Sequence, residues 1–171
     1  MKIPEEYHKK MISLLEKEYN LYLELKDILI LERKYLSDFK YDSLSDINLQ
    51  KEGILLNIFE IKNRRNNFIK ELCNNFNLDY DNFNLSFLAS ISEPKNKKIY
   101  ENFKEKFKEI GFKIKNLNEI NKFVIETSLS FIEKSLNIVN QNLYPSTYSN
   151  YGKIVKKSYT PSTTSLYTGK I

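Results

Sequence analysis

Apolar residues recur at helical spacing in three long segments of this chain. From Glu5 to Asp38 they come in pairs seven residues apart, Leu14/Leu15, Leu21/Tyr22, Ile28/Leu29 and Tyr35/Leu36, with Met11 and Leu25 between them. That repeat predicts a helix about 50 Å long at about 1.5 Å per residue. Pro4 stands at its first turn, where a missing N–H is tolerated. A short polar turn, FKYDSLSD, follows, and Ser43 with Asp46 reads as a capping box opening a second helix. This helix runs to about Phe76 on an apolar face of Ile47, Leu55, Ile58, Ile61, Phe68/Ile69, Leu72 and Phe76, with Lys62, Arg64 and Arg65 turned to solvent. Gly53 weakens it locally by about 1 kcal/mol relative to alanine. So brief a linker between two long helices predicts an antiparallel hairpin.

Residues 77–93 break the pattern with Asn and Asp, then carry a short apolar patch, Phe83, Leu85, Phe87, Leu88 and Ile91. This reads as a loop with one helical turn tucked over the end of the hairpin. Ser92 is placed to cap a third helix with Pro94 in its first turn. Its seam is Tyr100, Phe103, Phe107, Ile110, Ile114, Leu117, Asn121, Val124 and Ser128, and the helix continues to about residue 143. Towards its end the apolar face is doubled. One stripe runs Val124, Ser128, Phe131, Ser135, Ile138, and a second, one residue on, runs Ile125, Leu129, Ile132, Leu136, Val139, Leu143. A single neighbouring helix covers one stripe, so the other calls for a further helix, a second copy of the chain or a client protein.

The fold class expected is therefore all-α: an elongated antiparallel bundle of three long helices with coiled-coil-like packing. Residues 1–143 form the helical domain and 144–171 a flexible tail. The tail is rich in Ser, Thr and Lys and contains Pro145, Pro161, Gly152 and Gly169. Such a composition buries too little apolar surface to offset the entropy of ordering. Tyr144, Tyr148, Tyr151, Tyr159 and Tyr167 are spread along it as contact points.

Charge excludes one broad function. Of 27 basic residues, Lys153, Lys156, Lys157 and Lys170 lie in the acid-free tail, leaving 23 basic against 22 acidic in the first 143 residues. A near-neutral body with a short basic tail is not a phosphate-tracking surface, so no nucleic acid is expected. There is no apolar run of 18 residues to insert in a membrane. The N-terminal MKIPEEYHKK carries acids and lacks an apolar core and cleavage site, which argues against a signal peptide.

Catalytic chemistry finds no footing. His8, the sole histidine, sits in a charged turn and reads as a solvated side chain. Cys73, the sole cysteine, lies among apolar neighbours near a helix end and reads as structural, consistent with a reducing compartment. Phosphate-loop, dinucleotide and metal-loop motifs are lacking, so neither an enzyme nor a cofactor or metal site is expected.

The order of elements, a long helix, a second carrying KEGILLNIFEIKNRRNNFIKEL, a polar link, then LNEINKFVIETSLSFIEKSLNIV and PSTYSNYGK, resembles the FlgN family of flagellar export chaperones. Asn118 and Asn121, followed by Glu126, Ser128, Leu129, Phe131 and Ile132, are similar to the family's N-x-x-N-x-x-L-I-E-x-S-L-x-F pattern. Pro145-x-x-Tyr148-x-x-x-Gly152 adds a second motif in the right order. The layout covers nearly the whole chain and the motifs about 35 residues.

The resemblance implies a cytoplasmic, non-enzymatic chaperone. Its clients would be the hook-associated proteins FlgK and FlgL, held by their C-terminal regions and delivered to the export-gate component FlhA. Carried over by position, the client surface is Val124, Ile125, Ser128, Leu129, Phe131, Ile132 and Leu136, and the gate-docking residue is Tyr148. The segment TYSNYG departs from the family's pattern by lacking a glycine directly after that tyrosine, and Tyr144 and Tyr151 are close competitors. Two other readings stand beside this one: a chaperone for the filament cap, and a structural coiled coil that self-associates through the third helix. A homodimer is compatible with either.

Overall fold

The computed structural model describes residues 3–40 and 42–143, with side chains to Asn140. Among these residues there are four helices and no strand: α1 (Glu5–Ser37), α2 (Asp42–Phe76), α3 (Leu85–Ser90) and α4 (Pro94–Leu143). The all-α class and the three long helices are as expected, and α3 is the single turn anticipated in the polar link. The chain divides into two compact units, residues 1–128 and 129–171. The tail from Tyr144 onward, with its expected flexibility and its tyrosines, lies outside the described residues.

In the first unit α1 and α2 are antiparallel, since contacts climb α1 as they descend α2. Tyr7 stacks on Phe68 with ring centroids 5.9 Å apart, Glu18 meets Arg65 at 2.8 Å, and Glu32 pairs with Lys51. The α4 helix runs in the direction of α1. The Asn96 amide donates to Glu5 Oε2 at 3.0 Å, Phe107 meets Tyr19 and Tyr22 edge-on at 5.9 and 6.0 Å, and Asn121 reaches the Leu29 carbonyl.

Helix ends follow local rules, with two departures. The turn after α1 is a Schellman-type cap: Lys40 N–H donates to the Tyr35 carbonyl at 3.0 Å, and Phe39 takes a left-handed φ of 56°. Asn77 does the same after α2, with Leu78 N–H on the Cys73 carbonyl at 2.9 Å. The capping box expected at Ser43 does not form, because α2 starts at Asp42 and Ser43 lies in its first turn, its N–H donating to the Lys40 carbonyl. Nor does Ser92 cap α4: its hydroxyl donates back to the Leu88 carbonyl and so closes α3 instead. The α3 helix is opened by Asn84, whose side-chain oxygen accepts the Phe87 N–H at 2.9 Å.

The core falls into two clusters. The larger joins Met11 and Leu15 of α1, Phe68, Leu72 and Cys73 of α2, Leu88 and Ala89 of α3, and Tyr100 and Phe103 of α4. The apolar patch after α2 is thus the plug expected over the hairpin's end, with Phe83, Leu85 and Ile91 packed against it. The smaller cluster holds Leu25, Leu29 and Ile58, with Ile114 and Leu117 of α4 only partly buried beside them. Each fully covered leucine is worth roughly 1.5–3 kcal/mol, so the first cluster carries most of the stability.

Three side chains contradict their sequence reading. His8 is not solvated: it is 4% exposed, and its Nδ1 is 2.8 Å from the Tyr100 hydroxyl. Burial pushes the His8 imidazole below its usual pKa, against the pull of Glu5 and Glu93. Arg65 is not free in solvent but lies against the buried Glu18 carboxylate, whose burial raises its pKa despite the guanidinium. Leu55 points outward, and Ile54 takes its place beside the smaller cluster.

Candidate functional site

From Pro94 to Leu143 the only glycine or proline after the first turn is Gly111, and four exposed Lys/Glu pairs at i,i+4 support the helix on its solvent side. Glu126 belongs to the last, 3.7 Å from Lys122. Each such pair adds about 0.2–0.5 kcal/mol, enough to favour the helix but not to bind anything.

The two asparagines of the motif part company. Asn118 is exposed. Asn121 is 3% exposed, and its amide donates to the Leu29 carbonyl at 2.9 Å and to Glu32 Oε2 at 2.7 Å. The other oxygen of Glu32 takes the Lys51 ammonium. One residue from each long helix therefore meets in a buried polar knot, which fixes the register of α4 on the hairpin as only directional bonds can. By sequence Asn121 lies on the seam and in the motif, and its burial with these bonds makes it a register-fixing residue.

Beyond Asn121 the first unit covers α4 only in part. Val124 and Ser128 are half-buried and Ile125 is exposed, so the first stripe is the one partly covered. In the second unit no side chain from Leu129 to Asn140 is buried. Leu129, Ile132 and Leu136 are exposed, and Phe131 is 71% exposed. Ile138 and Val139, stripe members left out of the expected client set, are equally bare. Ser135 turns its hydroxyl inward along the helix to the Phe131 carbonyl at 2.9 Å, leaving the surface there apolar. Tyr148 lies outside the described residues.

Reactive groups do not converge on this face. Cys73 is buried in the larger core cluster, as its structural reading required, and burial with the nearby Asp79 pushes its thiol up, away from the thiolate. Among the described residues no three of His, Cys, Asp or Glu gather as metal ligands, and no helix is long and apolar enough to cross a membrane.

The family model described as FlgN protein matches residues 1–156. This chain belongs to the FlgN family. No curated protein and no solved structure matches it. FlgN proteins are flagellar export chaperones, a family of binding proteins for hook-associated proteins and not of enzymes. The matched span takes in both the asparagine-led helix and the segment from Pro145 to Gly152. For a FlgN chaperone an apolar helical surface left exposed among the described residues is the chemistry required: it can shield an assembly-prone amphipathic segment without altering it covalently.

Proposed function

We propose that this FlgN-family chain is a cytoplasmic chaperone that holds the C-terminal regions of FlgK and FlgL against α4, prevents their premature assembly, and hands them to FlhA through Tyr148. The client residues are Leu129, Phe131, Ile132 and Leu136 of the second unit and Val124, Ile125 and Ser128 of the first. One observation carries the reading: six large apolar side chains between Leu129 and Val139 are exposed. Covering them would release on the order of 10 kcal/mol before the costs of association, enough to hold a client segment.

The test is the double variant Leu129→Asp/Ile132→Asp. Co-purification with FlgK and FlgL should be lost, while the far-ultraviolet circular dichroism remains that of the parent. A collapse of helicity would make these residues core, and retained capture would move the client elsewhere. Wild-type capture of the filament-cap protein in place of FlgK and FlgL would reassign the client.

A further inference from the structure

Among the described residues the α2 helix carries a second unpartnered seam, on the first unit and distinct from the face of α4. Its buried residues, centred on Ile47, Ile58, Ile61 and Leu72, face the other helices. About a third of a turn away, at 100° per residue, a row of six exposed residues runs along the helix: Asn48, Glu52, Leu55, Phe59, Lys62 and Asn66. Their spacing alternates four and three residues, the repeat that keeps one face of a helix against a partner helix over several turns. Leu55 is 47% and Phe59 64% exposed at the centre, and the exposed Leu49 and Leu56 widen the apolar strip along one edge.

The row reads as its own complement when reversed about Asn57. Leu55 then falls opposite Phe59, Glu52 opposite Lys62 and Asn48 opposite Asn66, each pair occurring twice. This is the condition for a twofold interface, in which residue i meets j and j meets i. Glu52 has no ion-pair partner among the described residues, and the Lys62 ammonium rests 6.0 Å from the Tyr22 ring. Parallel pairing would set Glu52 against Glu52 and Lys62 against Lys62. We infer that α2 is a dimerisation surface whose occupant is the α2 helix of a second copy of this chain, packed antiparallel across Asn57. The apolar centre supplies the attraction, and the two Glu52–Lys62 pairs, worth little as solvent-exposed bridges, set the direction.

Light scattering on the full chain at about 100 μM should give a dimer mass. Glu52→Lys alone and Lys62→Glu alone should each weaken it by about tenfold, since each creates two like-charge contacts. The double variant E52K/K62E should restore it, and an equimolar mixture of the two single variants should form a heterodimer. All four positions of charge lie at the surface, so circular dichroism should not change. A monomer mass at every concentration up to about 0.5 mM overturns the inference. So does a dimer indifferent to the reversals, a reversal that the double variant does not rescue, or a dimer dissolved by Leu129→Asp/Ile132→Asp, which would place the contact on α4.

Discussion

A histidine flanked by charges in sequence is nonetheless buried, because the partner that takes it in, Tyr100, is 92 residues away. Within MKIPEEYHKK nothing announces this, since burial there depends on α4 lying along α1. The consequence is a pH dependence of stability. Folding lowers the His8 pKa below the ordinary 6.5, so below that pH the unfolded chain binds a proton that the folded chain resists. Stability is therefore full above about pH 6.5 and is lost as pH falls through the folded pKa. The melting temperature of the parent should drop more between pH 7.5 and 5.5 than that of His8→Gln, which cannot titrate. Glu18 acts with the opposite sign: its raised pKa gives stability at low pH that is lost as the carboxyl ionises, and it contributes equally to both proteins. Parallel pH curves for parent and variant would show that His8 is not the group responsible. Asn121 makes the same point about sequence and environment, since a polar residue on an apolar seam was visible but its partners Leu29 and Glu32 were not.

At the scale of elements, the long helices were legible because their apolar residues repeat at the helical period over many turns. Their ends were less so. Ser43 and Ser92 are sound capping residues by type, yet α2 begins one residue before Ser43 and Ser92 is drawn back to Leu88. Which serine caps is settled by where the chain must turn. The interior glycines are a cleaner case, because neither touches anything: a Cβ built on Gly53 or Gly111 meets no atom within 4 Å. Gly53→Ala and Gly111→Ala should each stabilise the protein by about 0.5–1 kcal/mol. As they lie on different helices far apart in sequence, the double variant should show nearly the sum, read from urea midpoints at unchanged slope. A loss of stability at either would reveal a contact that space alone does not predict.

For the whole molecule, the two tasks proposed for a FlgN chaperone, holding a client and docking at the gate, fall on segments separated by Pro145 in the sequence. Tyr148→Ala should leave affinity for a hook-associated client within about threefold, or roughly 0.6 kcal/mol, and weaken binding to FlhA. Isothermal titration with each partner separately checks it. Equal losses at both would mean that one surface serves both partners.

The sequence by itself determined the class of fold, the number and order of the long helices, the family, and the surplus of apolar positions at the end of α4. All of these are written in local periodicity and short motifs, which need no knowledge of distant neighbours. Tertiary structure alone decided which apolar residues are core and which are surface, sending Ile58 inward and Leu55, four positions from Phe59, outward. It also decided that His8, Glu18 and Asn121 are interior groups. The physical reason is the same in each case: a helical pattern states how wide an apolar face is, but burial is set by how many other helices reach that face, and only the packed chain contains that number.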